Sequence, residues 1–242
     1  LGSFTHDPLG FVYFAFPWGE KGTPLEKFDG PDEWQIKILK KIGEELKKGK
    51  SLSKAIKIAI ASGHGIGKST LVSFLILFAM ATHENTRGVV TANTEKQLSS
   101  KTWAELSKWY NLFIGKELFV YTATALFSAD KQYEKTWRID AIPWSESNPD
   151  AFAGLHNQGN RILIIFDEAS SIADIIWEVA EGALTDKETE IIWCAFGNPT
   201  KNSGRFRECF RKYRNYWHTE QIDSRTVKVS NKVLLNEWVE LY

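Results

Sequence analysis

The chain has 242 residues, of which 43% are hydrophobic and 25% charged, a composition typical of one large globular domain or of one domain with a small appendage. Its 30 basic and 30 acidic side chains balance to zero net charge, so any contact with nucleic acid must come from a local patch. The two cysteines exclude a disulfide scaffold and suit a reducing compartment, and no apolar run is long enough to span a membrane.

The first part of the chain predicts a leader, a helix, a strand and a second helix. Residues 1–33 are rich in Gly, Pro and aromatics and predict an irregular leader. Glu33–Leu46 carries apolar residues at helical spacing. The apolar run Ala55–Ala61 predicts a buried strand, and Leu71–Met80 predicts a buried helix.

The turn between this strand and this helix has the residue types of a phosphate-binding loop, the Walker A motif. Its glycines let backbone N–H groups converge on phosphate oxygens, and the helix N-terminus adds free donors and a positive dipole end. Lys68 is expected to reach the β- and γ-phosphates of ATP, and the Ser69 hydroxyl to bind Mg²⁺. The first glycine that such loops usually carry is replaced here by Ser62. The predicted nucleotide-binding residues of the loop are Gly63, His64, Gly65, Ile66, Gly67, Lys68, Ser69 and Thr70.

Further elements separate this loop from the next motif. Arg87–Ala92 predicts a strand, and a capping box predicts a helix over Thr94–Phe113. Leu118–Phe127 and Thr136–Ile142 alternate enough to predict strands. Asn148–Asn160 contains two glycines and predicts a loop.

A second ATPase motif, of the Walker B type, follows this loop. The five apolar residues Ile162–Phe166 predict a central parallel strand that is covered on both faces. Asp167 and Glu168 come directly after it, at the end where open α/β sheets bind ligands. Asp167 is expected to bind Mg²⁺ opposite Ser69, and Glu168 to orient and deprotonate the attacking water.

Strands and helices continue to alternate to the end of the chain. Ile172–Leu184, Gly204–Arg214 and Asn231–Tyr242 predict helices, whereas Glu190–Phe196 and Tyr216–Ile222 predict strands. This alternation predicts an α/β fold with a mostly parallel sheet covered by helices on both faces.

The spacing of the two motifs predicts the subclass of the fold. Because further strands lie between them, we expect a P-loop NTPase with an added central strand and a catalytic glutamate, the ASCE group that contains RecA-like and helicase-like ATPases. We expect the leader over residues 1–33, the ATPase core over 34–200, and a small C-terminal subdomain or linker over 201–242.

Two polar residues outside these motifs are typical of helicase-like ATPases. Gln35 follows Pro31-Asp-Glu-Trp at the start of the first helix, and its amide can both donate to and accept from the adenine edge. Asn198 belongs to the Gly-Asn-Pro-Thr segment after a predicted strand, where a polar side chain can sense the γ-phosphate. An ordinary helix start and a plain turn are the respective alternatives.

These segments, in this order and with the Phe-Pro-Trp-Gly-Glu stretch of the leader, resemble the ATPase domain of the large terminase subunit of tailed bacteriophages and prophages. The resemblance covers nearly the whole chain. It implies a motor that uses ATP and Mg²⁺ to thread double-stranded DNA into a viral procapsid in the host cytoplasm. The implied partners are DNA, the portal protein, the small terminase subunit and further copies of the chain in a ring, which is pentameric in well-known members.

The resemblance assigns roles by position. It matches Lys68 and Ser69 to the phosphate loop, Asp167 to the metal-binding acid, Glu168 to the catalytic base, Gln35 to the adenine contact and Asn198 to the coupling segment.

Two departures from the family pattern matter. Many terminases carry an arginine in the phosphate loop where this chain has His64, so a neighbouring subunit is expected to supply that charge. Arg205 is the first candidate for this arginine and Arg138 the second. The acidic residues after Glu190 form no cluster of the kind that a two-metal nuclease needs, so we expect the family's nuclease domain to lie beyond Tyr242.

A basic segment near the C-terminus is a candidate DNA contact, because it combines cations with aromatics and would hold phosphates without sequence preference. An amphipathic helix with solvated charges is the alternative. Other functional classes also stay open: another DNA-dependent ATPase or helicase-like translocase, a slow nucleotide switch, and a ring protein with a degenerate site. The residues of the segment are Lys201, Arg205, Phe206, Arg207, Phe210, Arg211, Lys212, Tyr213, Arg214 and Trp217.

Overall fold

The fold is built around one mixed sheet. The computed structural model of the chain describes residues 1–48, 54–147, 154–228, 230 and 232. The sheet has eight strands in the order β3-β4-β5-β2-β6-β7-β1-β8. The β3–β4 and β4–β5 pairs are antiparallel, and the other neighbours are parallel, which confirms the predicted mostly parallel sheet. The strands are β1 (Ile56–Ser62), β2 (Arg87–Thr91), β3 (Phe119–Tyr121), β4 (Ala125–Ser128), β5 (Arg138–Ala141), β6 (Arg161–Phe166), β7 (Glu190–Gly197) and β8 (His218–Ile222).

The strand order brings the two predicted motifs to one edge of the sheet. Strand β7 lies between β1, which leads into the phosphate loop, and β6, which ends at the acidic pair. All three strands are parallel, so their carboxyl ends open toward the same side. The predicted additional central strand is therefore confirmed.

Helices cover both faces of the sheet and form two apolar cores. Ile58 and Ile60 of β1 belong to one core and Ala59 and Ala61 to the other, because successive side chains of a strand point to opposite faces. The helices are α1 (Pro8–Ala15), α2 (Glu33–Lys47), α3 (Lys68–Thr82), α4 (Glu95–Gln97), α5 (Ala104–Leu112), α6 (Asp174–Gly182) and α7 (Arg205–Cys209), with a π-helical turn over Leu98–Trp103. Helices α1, α2, α3 and α5 pack on the isoleucine face, and α6 and α7 pack on the alanine face.

The sequence predicted an irregular leader, but the leader contains the helix α1. Asp7 caps this helix by accepting from the Gly10 N–H at 3.0 Å, and Pro8 occupies its first turn, where no N–H is needed. Phe11 of α1 and Phe16 after it pack against aromatic side chains of α3 and α5 or of the residue that follows α5. Their apolar rings therefore make the leader part of the first core.

Other predicted boundaries also need correction. The predicted strand Leu118–Phe127 is a hairpin of β3 and β4, because the Thr122 N–H and the Ala125 carbonyl close a turn at 2.8 Å. Strand β8 lies after residue 200 and pairs with β1, and the division of the chain at that residue stays a prediction. All of the predicted helix Asn231–Tyr242 except residue 232, and part of the predicted loop Asn148–Asn160, lie outside the described residues. Within the described ranges, no helix is long and apolar enough to cross a membrane.

A buried ion pair at the opposite edge of the sheet was not predicted. The Arg161 side chain is fully buried, and its Nη2 lies 2.8 Å from Oε2 of Glu190. Arg161 also donates to the Thr82 hydroxyl at 2.9 Å and to the Thr5 carbonyl at 2.7 Å. One guanidinium thus joins β6 to β7, to the end of α3 and to the leader.

Candidate active site

The phosphate loop connects the end of β1 to the start of α3. Gly65 and Gly67 have φ values of 72° and 88°, in the left-handed region that favours glycine. The 15-residue helix α3 starts at Lys68 and is buried along most of its length. Its N-terminus therefore presents unpaired N–H groups and a positive dipole end from a fixed position.

The Lys68 ammonium folds back over the start of this loop. Its Nζ lies 2.7 Å from the Gly63 carbonyl and 3.2 Å from the Ser62 hydroxyl. Burial lowers the pKa of Lys68, and the negative charges of Glu168 and Asp167 oppose that shift. Lys68 therefore shares one electrostatic environment with the acidic pair.

Asp167 follows β6 as a buried carboxylate. It accepts hydrogen bonds from the Thr102 hydroxyl and, at 3.0 Å, from the Glu168 N–H. Burial raises its pKa, and the Thr102 hydrogen bond partly opposes that shift. No ion pair within the described residues neutralises Asp167, so a bound cation would stabilise its charged form.

Glu168 adopts a backbone conformation that is rare for a non-glycine residue. Its φ is 51°, in the left-handed region, which costs roughly 1–3 kcal/mol and often occurs at functional sites. The conformation turns the chain directly from β6 into the short 3₁₀ turn Ala169–Ser171. Glu168 is half-buried, so it stays accessible while the neighbouring Asp167 is enclosed.

Asn198, directly after β7, contacts the phosphate loop. Its Nδ2 lies 3.2 Å from Nε2 of His64. Because β7 is placed between β1 and β6, Asn198 lies between the loop and the acidic pair. This position suits the coupling role that the resemblance implies.

The start of α2 braces the phosphate loop from the other side. The Trp34 indole donates to the Ile66 carbonyl at 3.1 Å, and the Gln35 amide donates to the Gly67 carbonyl at 2.9 Å. The Gln35 carbonyl oxygen accepts from the Asp32 N–H at 2.9 Å, and Gln35 is 4% exposed. Its contact with adenine stays a prediction.

The other two predicted loop residues differ in their surroundings. Ser69 is half-buried in the first turn of α3, next to Lys68. The Thr70 hydroxyl donates to Oε1 of Glu105 at 3.0 Å, so it is engaged by α5. Thr70 and Gln35 both line a cavity of about 200 Å³ beside the loop, together with Trp18, Phe28 and Trp109.

The two arginines predicted to act on a neighbouring subunit are held within their own chain. Arg205 pairs with Glu181 at 2.5 Å and lies 4.0 Å from the centre of the Tyr213 ring, with a side chain that is 15% exposed. Arg138 pairs with Asp140 and begins β5, at the edge of the sheet away from the phosphate loop. Each guanidinium has an acidic partner in its own chain, and the role of either arginine on a neighbouring subunit stays a prediction.

The oxygen donors at the site fit ATP with Mg²⁺. Ser69 and Asp167 offer a hydroxyl and a carboxylate, which are ligands that Mg²⁺ prefers. The described residues contain no group of three or more His, Cys, Asp or Glu that could enclose a metal. A metal at this site would therefore complete its shell with water and phosphate oxygens, as Mg²⁺ commonly does.

Thr102 and Lys101 belong to the site but were not predicted. Both lie in the π-helical turn after β2, a feature that is frequent at functional sites. Thr102 bonds to Asp167, and the positive charge of Lys101 lowers the pKa of Lys68. Because β2 neighbours β6, the segment after β2 had to approach this edge, but sequence spacing does not reveal the strand order.

Comparison with known proteins gives one curated relative, and no family model matches the chain. The chain is 28% identical over 153 residues to a probable large terminase subunit of Enterobacteria phage P7. This match covers 61% of the chain and 30% of that protein, so the chain spans less than a third of its relative.

Three solved structures share the fold. The large terminase of bacteriophage HK97 has a TM-score of 0.62 at 14% identity, over 97% of this chain and 47% of that one. The ATPase domain of a Thermus phage P74-26 large terminase mutant has a TM-score of 0.52 at 15% identity, over 87% of each chain. The large terminase of a thermophilic bacteriophage, solved in complex with ADP, has a TM-score of 0.55 at 13% identity, over 87% and 50%. The expected resemblance to large terminase ATPase domains is confirmed.

Proposed function

We propose that this chain is the ATP-hydrolysing domain of a DNA-packaging motor, which binds ATP with Mg²⁺ and couples hydrolysis to the movement of double-stranded DNA. The main support is the arrangement of Lys68, Asp167 and Glu168 at the ends of β1 and β6, with β7 between them. The relatives add support, because they are phage large terminases and one of them was solved with ADP.

The roles of the residues follow from their positions. Lys68 leaves the Gly63 carbonyl and donates to the β- and γ-phosphates, which neutralises part of their charge. Ser69 and Asp167 would hold Mg²⁺, which would polarise the phosphoryl oxygens. Glu168 accepts the proton of the attacking water. Asn198 responds to the loss of the γ-phosphate and passes the change along the segment after β7.

Assembly supplies the remaining charge. The phosphate loop has His64 where an arginine would act within the same chain, so a cation from a neighbouring copy completes the site in a homo-oligomeric ring. The ring works at the portal protein in the host cytoplasm, and the small terminase subunit delivers the DNA. A different DNA-dependent translocase is the alternative, and it would require no portal.

The experiment that tests this function measures ATP hydrolysis with and without duplex DNA, over a range of protein concentrations. We expect DNA-stimulated turnover that rises more steeply than protein concentration, because neighbouring copies complete the site. Lys68→Ala should abolish it, whereas Lys131→Ala, at an exposed turn, should not. A linear dependence on concentration would contradict the shared site, and equal rates for the two variants would contradict the proposed function.

Thr102 provides a test of the metal site. Thr102→Val removes the hydroxyl that orients the Asp167 carboxylate, so the Mg²⁺ concentration for half-maximal hydrolysis should rise by about tenfold or more, the usual cost of losing such a supporting bond. Thr102→Ser keeps the hydroxyl and should stay close to wild type. A Val variant with unchanged Mg²⁺ dependence would show that this bond does not support the metal.

A further inference from the structure

A cavity of about 710 Å³ lies beside the phosphate loop, on the side away from α2. Its walls come from the end of β1 at Ser62 and Gly63, from the segment after β7, from α7 and from the end of β8. Lys201, Arg207 and Arg211 line it as cations, and Phe206 and Phe210 form an apolar wall. The cavity is therefore a positively charged cleft adjacent to the nucleotide site.

The charge of this cleft is largely uncompensated. Lys201 and Arg211 make no ion pair within the described part of the chain, and Arg207 has only its neighbour Glu208, at 3.2 Å. Asp223 is the carboxylate that lines the cavity, and it is paired with Arg225. An anionic ligand would therefore meet free cations and no free carboxylate.

The cleft is joined to the phosphate loop by close packing and one hydrogen bond. A Cβ on Gly197, the last residue of β7, would lie 2.7 Å from the Phe206 ring, so only glycine lets α7 approach so closely. Asn198, the next residue, lines the cleft and lies 3.2 Å from His64. A ligand that moves α7 therefore acts directly on the strand end that contacts the phosphate loop.

We propose that this cleft binds backbone phosphates of the translocated DNA through Lys201, Arg207 and Arg211, and that Asn198 and His64 report its occupancy to the nucleotide site. The inference rests on the proposed motor function and assigns a position to its DNA contact. Only part of the basic segment predicted from the sequence belongs to this contact. Arg205 pairs with Glu181, and neither Lys212 nor Arg214 lines the cleft.

A nucleic-acid backbone fits the cleft better than a free phosphate ion. A site for one small anion is typically enclosed by buried donors, whereas Lys201 and Arg211 are exposed. The volume is also far larger than one ion needs. Cations on mobile side chains contact phosphates without reading bases, which a sequence-indifferent motor requires.

The test compares two double variants that remove equal charge from the same segment. Arg207→Gln with Arg211→Gln empties the cleft of two cations, and Lys212→Gln with Arg214→Gln is the matched control outside it. Binding of a fluorescent random-sequence duplex is measured by anisotropy across a salt series, and folding of each variant by thermal melting. We expect the cleft variant to make the slope of log Kobs against log salt shallower by about 2, and the control to change it much less.

The outcomes separate the inference from the proposed function. Equal slopes for the two double variants, with wild-type binding and hydrolysis intact, would overturn the cleft and leave the motor function standing. Inorganic phosphate provides the second test. If the wild-type chain binds it and the Arg207/Arg211 double variant does not, while that variant binds DNA as the wild type does, the site takes a small anion and the inference is overturned. A wild-type chain that neither binds DNA nor hydrolyses ATP would overturn both.

Discussion

Replacing Glu168 with Gln is expected to lower the rate of ATP hydrolysis by about 10²–10⁴-fold, the usual contribution of a positioned general base. The amide keeps the size and the hydrogen-bonding capacity of the carboxylate, but it cannot accept the proton of the attacking water. Nucleotide binding should remain close to wild type, because Lys68 and the loop N–H groups hold the phosphates. Single-turnover hydrolysis and binding of a fluorescent ATP analogue measure the two effects separately.

The chain offers a matched control for this substitution. Glu188 also has a left-handed backbone, with φ of 54°, but it lies in an exposed turn before β7, at the opposite edge of the sheet. Glu188→Gln changes the same atoms in the same backbone conformation and should leave hydrolysis unchanged. If Glu168→Gln hydrolyses ATP at the wild-type rate, Glu168 is not the base. If both variants lose activity equally, the effect arises from the backbone and not from the carboxylate.

Replacing Arg161 with Met is expected to lower the free energy of unfolding by about 3–5 kcal/mol, the range measured when one partner of a buried ion pair is removed. The Glu190 side chain is 11% exposed and would keep only His6, whose side chain is 44% exposed, as a partner at 2.8 Å. The Thr82 hydroxyl and the Thr5 carbonyl would lose their donor as well. Denaturant unfolding of wild type and variant measures the difference.

The pH dependence provides an internal control for this prediction. Burial by itself raises the pKa of Glu190, but the charge and hydrogen bonds of Arg161, with a smaller contribution from His6, outweigh it and hold that pKa below its usual value. A carboxyl with a lowered folded pKa stabilises the protein above its unfolded pKa and loses that contribution as pH falls through the folded value. In Arg161→Met, protonation of the buried Glu190 carboxyl would instead stabilise the folded protein, because it removes a poorly compensated charge. The stability difference between the two proteins should therefore shrink at acid pH.

A double variant completes the cycle. Adding Glu190→Gln to Arg161→Met removes the orphaned charge and should recover much of the lost stability. A double variant as unstable as the single one would mean that the cost lies in lost packing and in the bonds to Thr82 and Thr5.

Local patterns were sufficient to predict that the phosphate loop and the acidic pair lie at the same ends of β1 and β6. The phosphate loop and the acidic pair each follow an apolar strand, and parallel strands place such tips at one edge, so their convergence follows from the patterns alone. The additional central strand was predicted from the strands that separate the two motifs in the chain, whereas the strand that lies between β1 and β6 is β7, which follows both motifs.

Pairings between distant residues could not be predicted in this way. Thr102 reaches Asp167 only because β2 neighbours β6, and Arg205 pairs with Glu181 only because α6 brings that residue beside it. The leader was mistaken for an irregular segment because its Gly and Pro suggested turns, while its rings find their partners on α3 and at α5. Each miss concerns a contact whose second member is far away in the chain.

The bracing of the phosphate loop by Trp34 and Gln35 has a mechanical consequence. In the proposed motor, force on the DNA would pass through the loop that binds ATP. A loop that yields would reduce the movement that reaches the DNA. Trp34 and Gln35 of α2 donate to the consecutive carbonyls of Ile66 and Gly67. The loop is therefore fixed to a helix that packs in the first apolar core. On the other side, the loop contacts Asn198 through His64, so we expect the movement that accompanies hydrolysis in the proposed motor to start there.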